Sequence, residues 1–250
     1  MISSIFVRKP LLTILLHCRS RTTTVLLTTT GSASATLPYR GIAFEKMGRF
    51  QEALDDYSRA IQLDKTKLEF VHNRGFVYKK LGRYEEAIAD FNSVLQSNKE
   101  HYKAYYNRGY CYEFQNKYDE AEADYNSALK RKPDNVTVLF RLGQLFEKRG
   151  SLDKSFLKIA EKYYMKVLKL DPNHGPSYNG LGLVYEAQKD REKALRYFDK
   201  ALKTDGKNAV YLHNKGCCLK KMQRLEECLP YLKRASEEDG ENLDILNNLG

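Results

Sequence analysis

The chain has 250 residues, a formal net charge of +10, 30% charged residues, no tryptophan and five cysteines. Residues 1–36 supply four of the positive charges, from Arg8, Lys9, Arg19 and Arg21, and hold no acid. Beyond them basic and acidic residues intermingle, which describes a mildly basic surface and excludes the basic stripe of a nucleic-acid binder.

The cysteines form no CxxC pair, and their odd number argues for a reducing compartment rather than a disulfide framework. Cys111, Cys217, Cys218 and Cys228 are expected as small packing residues. No histidine accompanies them at ligand spacing, so no metal site is expected. Zinc-protease, phosphate-loop and nucleophile-elbow motifs are missing from the sequence. No catalysis and no cofactor are therefore expected. The runs Glu85-Glu86 and Glu237-Glu238-Asp239 read as solvated faces or helix-start charge.

Taken in order, residues 1–36 stand apart. They are rich in Ser and Thr, hold scattered arginines and lack acids, as transit peptides do. Pro10 interrupts an early helix, and the apolar run from Leu11 to Leu16 is too short to span a membrane. The segment is expected as a disordered or transit-like leader. A cytoplasmic location is expected, with a mitochondrial one as the alternative if the leader is a transit peptide.

From residue 34 the chain repeats. The clearest unit is 102–135. Ala104, Tyr105, Arg108, Gly109 and Tyr112 follow helical spacing, Gln115-Asn116-Lys117 breaks it, and Tyr118, Ala121, Tyr125, Ala128 and Leu129 resume it until Pro133. This predicts a helix hairpin whose small residues, Gly109 and Ala121, let two backbones approach. Gly75, Ala87 and Phe91 occupy the same slots one unit earlier, and Gly41, Ala53 and Tyr57 two units earlier. Gly143 follows, then Gly182 with Ala194 and Phe198, then Gly216 with Cys228 and Leu232. Six units are expected across 37–242: 34–67, 68–101, 102–135, 136–174, 175–208 and 209–242. Residues 243–250 read as the start of a seventh, which suggests a fragment of a longer protein. The fourth unit holds five extra residues. The unbroken spacing of Leu152, Phe156, Ala160, Tyr164 and Leu168 predicts that they lengthen its second helix by about 7 Å at 1.5 Å per residue; a loop insertion is the alternative. Asn135-Val136-Thr137 matches a glycosylation acceptor, relevant only to a secreted chain.

The period and its Gly, Ala, aromatic and Pro slots resemble the tetratricopeptide repeat. That resemblance implies an all-α, right-handed superhelical solenoid acting as a non-catalytic protein–protein interaction scaffold. It further implies that first helices line a concave face, with the residue two before each signature glycine pointing into it. Those residues are Asn73, Asn107, Asn214 and Asn248, with Tyr39, Arg141 and Gly180 in the remaining units. An amide both donates and accepts, and the row resembles the asparagine ladder in the repeats of O-linked N-acetylglucosamine transferase. His72, Phe76, Tyr106, Tyr110 and Phe140 are expected on the same face, with Lys46, Lys80, Lys148 and Lys221 at its edge. Together they suit an extended peptide with apolar anchors and some acidic residues.

The family's clamp for a chaperone C-terminus is incomplete. His72 and Phe76 stand in its first pair of positions, and Thr137 replaces a later lysine. A protein or peptide partner is expected, without nucleic acid and without a membrane span. Two alternatives are the recognition arm of a larger enzyme continuing beyond Gly250 and an organellar RNA-associated helical repeat protein.

Overall fold

The computed structural model describes residues 14–15, 26–27 and 33–239, with side chains from Thr36 onward. Asn248, the start of a seventh unit and most of the expected leader lie outside the described residues. Within the leader, β1 (Ile14–Leu15) pairs antiparallel with β2 (Leu26–Leu27). The rest is an all-α repeat array.

The chain falls into two compact units, Met1–Gln115 and Asn116–Gly250. The first contains α1 (Ala33–Lys46), α2 (Phe50–Leu63), α3 (Leu68–Lys80), α4 (Tyr84–Ser97) and α5 (Tyr102–Phe114). The second contains α6 (Tyr118–Arg131), α7 (Val136–Gly150), α8 (Ser155–Leu170), α9 (Gly175–Ala187), α10 (Arg191–Thr204), α11 (Ala209–Lys221) and α12 (Leu225–Glu238). Within each unit every helix packs on the next, and successive first helices also touch: α3 with α5, α7 with α9, and α9 with α11.

The signature slots explain the packing. The second helices α2, α4, α8 and α10 each carry one fully buried ring into their hairpin, Tyr57, Phe91, Tyr164 and Phe198, and α12 carries Leu232 in the same slot. Burying a side chain of this size contributes roughly 1.5–3 kcal/mol. The glycine opposite makes room. A Cβ on Gly41 would lie 2.9 Å from the Tyr57 ring, and one on Gly143 would lie 2.5 Å from the Tyr164 ring.

Five of the six turns between paired helices hold a residue of positive φ, the fourth hairpin being the exception. Gly48, Gly82, Asn116, Lys189 and Gln223 occupy the same repeat position, all with positive φ between 59° and 73°. Nothing lies within 4 Å of a Cβ built on Gly48 or Gly82, so those glycines serve the backbone and not a close contact. Lys189 and Gln223 adopt that conformation without glycine's freedom.

Helix starts are capped from the last residue of the preceding repeat. His101, Asn135, His174 and Asn208 each accept a hydrogen bond from a backbone N–H in the first turn of α5, α7, α9 and α11. Asn135, the glycosylation-acceptor asparagine, is thus an N-cap, with its Oδ1 3.1 Å from the Val138 nitrogen.

The fourth hairpin differs from expectation. α7 has 15 residues where α9 has 13, and α8 has 16 where α10 has 14. The turn between α7 and α8, residues 151–154, takes the remaining insertion. Neither the lengthening of α8 alone nor a pure loop insertion describes it. Leu152, part of the apolar spacing that suggested one long helix, sits in that turn and is 81% exposed.

In three hairpins the residue before the signature glycine is a cation, half-buried for Arg40 and Arg74 and buried for Lys215. Arg40 donates to both oxygens of Asp56, and Arg74 to both oxygens of Asp90 at 2.9 and 2.7 Å. Both aspartates are buried, where a carboxylate requires such a partner. In the sixth hairpin Lys215 instead reaches Asp199 on α10 and the Tyr231 hydroxyl on α12, at 2.5 and 2.8 Å.

Candidate functional site

In the first unit, α3 and α5 bring five of the sequence-predicted residues into one cluster around Asn73. Asn107 is only 4% exposed. Its Oδ1 accepts from Lys79 Nζ at 2.7 Å, and its Nδ2 lies 3.2 Å from His72 Nε2. His72 Nδ1 lies 3.4 Å from Asn73 Oδ1. A neutral imidazole protonated at Nδ1 satisfies both ends, accepting from Asn107 and donating to Asn73. Burial, then the adjacent His101, lowers the His72 pKa to about 4, so the ring is neutral at physiological pH.

Three aromatic rings surround the Lys79 ammonium. It stands 4.4 Å from the centroid of Phe76, 4.8 Å from Tyr110 and 5.9 Å from Tyr106. Each ring face attracts a cation. Tyr110 also stacks on Phe114 at 4.6 Å. The amide, the rings and the ammonium therefore organise one another, whereas the sequence suggested independent contacts.

In the second unit the expected row is interrupted. Gly180 occupies the amide slot on α9 because the Tyr164 ring fills it: a Cβ there would lie 2.5 Å from that ring. The amide function passes to the preceding residue, and Asn214 Nδ2 donates to Asn179 Oδ1 at 2.9 Å. Arg141 Nη1 donates to Gln144 Oε1 on its own helix at 3.2 Å. Phe140 packs on Tyr164 and edge-on to His174, with centroids 5.8 and 5.0 Å apart, so its ring serves the junction of two repeats.

The lysine edge is largely occupied as well. Lys221 pairs with Glu186 at 2.5 Å. Lys148 lies over Tyr118 and 3.4 Å from Asn116 Oδ1. Lys80 lies over Phe76.

Sequence reasoning missed Lys79, Asn179, Glu147 and Glu186. A signal for most of them exists four residues after each signature glycine: Glu45, Lys79, Glu113, Glu147, Glu186 and Lys220 make that slot ionisable in every unit. Glu147 shows what the slot does. Its Oε2 accepts from the Tyr164 hydroxyl at 2.5 Å, and burial raises its pKa to about 7. The side chains offer amides, rings and fixed charges but no activated nucleophile. Cys217 lies 3.3 Å from His213 Nε2, a pair four residues apart on α11 that sequence reasoning also missed, and burial raises its thiol pKa. Among the described residues no three metal-ligating side chains cluster, and no helix is long and apolar enough to cross a membrane.

A family model described as tetratricopeptide repeat matches residues 39–67, 102–135 and 176–208. Two further models of the same description match 69–101, and 136–174 with 209–242. The chain is a tetratricopeptide repeat protein. Tetratricopeptide repeat proteins are generally protein-interaction scaffolds that bind protein or peptide partners, and they are typically non-catalytic. No curated protein matches the chain in sequence.

Several solved structures share the fold of this repeat protein. A tetratricopeptide repeat protein from Parabacteroides merdae aligns with a TM-score of 0.74 at 17% identity, over 88% of this chain and 84% of that one. PilW, a type IV pilus biogenesis factor, aligns with a TM-score of 0.76 at 16% identity, over 88% and 100%. YrrB, described as having an unusual peptide-binding site, aligns with a TM-score of 0.56 at 20% identity, over 77% and 96%. At these identities the likeness supports the fold.

Proposed function

We propose that this protein is a non-catalytic scaffold that captures an extended peptide segment on the face lined by α3 and α5. The observation that carries the reading is the linked cluster of Asn73, His72, Asn107 and Lys79 over Phe76, Tyr106 and Tyr110. Packing contacts alone do not call for amides, an imidazole and an ammonium joined in one chain. Asn73 stands at the end of that chain, half-buried, with its amide available for a peptide backbone. In this reading Asn107 orients the cluster from beneath instead of contacting the ligand, so the ladder of equivalent amides narrows to Asn73 here and to the Asn179–Asn214 pair in the second unit.

Phe76 and Tyr110 supply apolar contact at low entropy cost, and Lys79 favours a nearby carboxylate. A few hydrogen bonds of roughly 0.5–1.5 kcal/mol each, with one or two rings, suit micromolar affinity, about −8 kcal/mol. The existence of a peptide-binding relative in fold, YrrB, is compatible with this use.

The test is selection of peptides from a displayed random library on the purified chain, followed by titration against Asn73→Ala and Phe76→Ala variants. Loss of binding with unchanged thermal unfolding supports the proposal. Selected peptides that bind both variants as well as the parent chain would exclude this face.

A further inference from the structure

The second unit carries a cleft of about 790 Å³ at the C-terminal ends of α6 and α8. Its apolar lining comes from Leu129 of α6, Pro133 of the following linker, Leu139 of α7 and Leu170 of α8. Leu170 remains 44% exposed although it closes a helix whose opposite face is packed. The volume falls within the range of pockets that hold a ligand, about 300–1,000 Å³.

Three ammonium groups line the same cleft, those of Lys130, Lys166 and Lys169. All three residues are exposed, and none forms an ion pair among the described residues. Lys130 and Lys169 belong to the last turns of their helices, where the carbonyl ends favour a cation. Lys166 sits a turn earlier and lies 5.5 Å over the Tyr163 ring. One acid, Asp134, shares the lining. Asp171, which follows Leu170, accepts from the backbone nitrogen of Asn173 at 3.1 Å. The lining therefore combines apolar surface with a positive charge balance. It contrasts with the first helices, whose Lys79, Lys148 and Lys221 all have internal partners.

We propose that this cleft docks an acidic segment of a partner protein that carries a bulky apolar side chain. The apolar side chain covers Leu129, Leu139 and Leu170, and flanking carboxylates meet the three lysines. The chain's own leader is a poor occupant, because residues 1–36 hold four basic residues and no acid. Complementary charge of this kind steers association and selects partners.

The test uses the full chain and two fluorescent synthetic peptides, one of repeated Asp-Glu-Leu-Leu and one of repeated Lys-Lys-Leu-Leu, in anisotropy titrations. The acidic peptide is expected to bind, more weakly as salt rises, and the basic one not. Combined Lys130→Glu, Lys166→Glu and Lys169→Glu is expected to weaken the acidic peptide by at least about tenfold and to admit the basic peptide. The corresponding Gln substitutions give an intermediate loss and guard against a folding artefact, checked by thermal unfolding. Asn73→Ala with Phe76→Ala keeps the part of this binding that the lysine charge reversal removes. The proposal is overturned if the acidic peptide fails to bind, if it ignores the charge reversal, or if it is lost in the first-helix-face variant. Self-association of the parent chain that disappears on charge reversal would assign the cleft to a second copy and overturn it too.

Discussion

Adding one methyl group at Gly143 sets two effects of opposite sign against each other. Alanine in a helix is favoured over glycine by about 0.8–1.0 kcal/mol, so Gly143→Ala should stabilise α7 if nothing else intervenes. The new Cβ would lie 2.5 and 2.7 Å from two atoms of the Tyr164 ring. That ring cannot easily move away. It is fully buried, Gly180 of α9 closes its far side at a similar approach, and its hydroxyl is bonded to Glu147. Overpacking of this kind costs about 1–3 kcal/mol, and a ring held on both sides belongs at the upper end. The net expectation is a loss of about 1–2 kcal/mol from these two terms. Urea unfolding of Gly143→Ala measures it. Tyr164→Leu in the same chain should remove most of the penalty, giving a favourable coupling between the two sites. Gly75→Ala is the graded comparison: its Cβ would meet Phe91 and Asp90 at 3.0 Å, so its cost should be smaller. If Gly143→Ala proves as stable as the parent or more so, the assigned register of α7 against α8 is wrong.

Four further outcomes follow from the same geometry. Lys189→Gly and Gln223→Gly should each raise stability by up to about 1 kcal/mol, because both positions hold positive φ in a side-chain-bearing residue; thermal unfolding reads the gain, and a loss would contradict the turn conformation. Asn107→Ala should destabilise by about 1–3 kcal/mol, since it strips Lys79 and His72 of a buried partner, whereas Asn73→Ala should stay close to the parent. The Glu147 carboxyl, held at about 7 against an ordinary 4.5, contributes a stability that is fully present below pH 4.5 and lost as pH rises through about 7. Glu147→Gln should therefore flatten that part of the unfolding profile and exceed the parent at pH 8. His72 acts in the opposite direction: its pKa, lowered to about 4, favours the folded chain above pH 6.5 and less as pH falls toward 4, so a His72→Gln variant should lose acid sensitivity in that window.

The hairpins were legible because each rests on a local pairing, a glycine beside a ring, that recurs at a fixed interval. Gly75 with Phe91 and Gly182 with Phe198 could be located without coordinates for that reason. The partition of the fourth repeat's insertion could not be read, because Leu152, Phe156 and Ala160 keep helical spacing straight through a turn. Spacing reports which face a residue would occupy in a helix, not whether the helix is continuous.

The site was half legible for a related reason. The amide slot could be named from the glycine, but its partners lie one repeat away: Asn107 is bonded to Lys79 and His72, and Asn214 to Asn179. Such bonds depend on how repeats stack, and a single chain's periodicity does not carry that information. Gly180 shows the converse. A ring from the preceding repeat occupies the amide slot, and sequence alone showed only that no side chain was there.

The fourth hairpin grows evenly on its two arms, with α7 and α8 each two residues longer than α9 and α10. A stacked tower can change storey height only if both walls of a storey rise together. Trimming one arm alone would leave the other overhanging, with Phe146 and Phe156, now stacked on each other at 5.9 Å, out of step. Length variation in such a hairpin is therefore constrained in matched steps, and an engineer wishing to lengthen one repeat has a natural precedent at this storey.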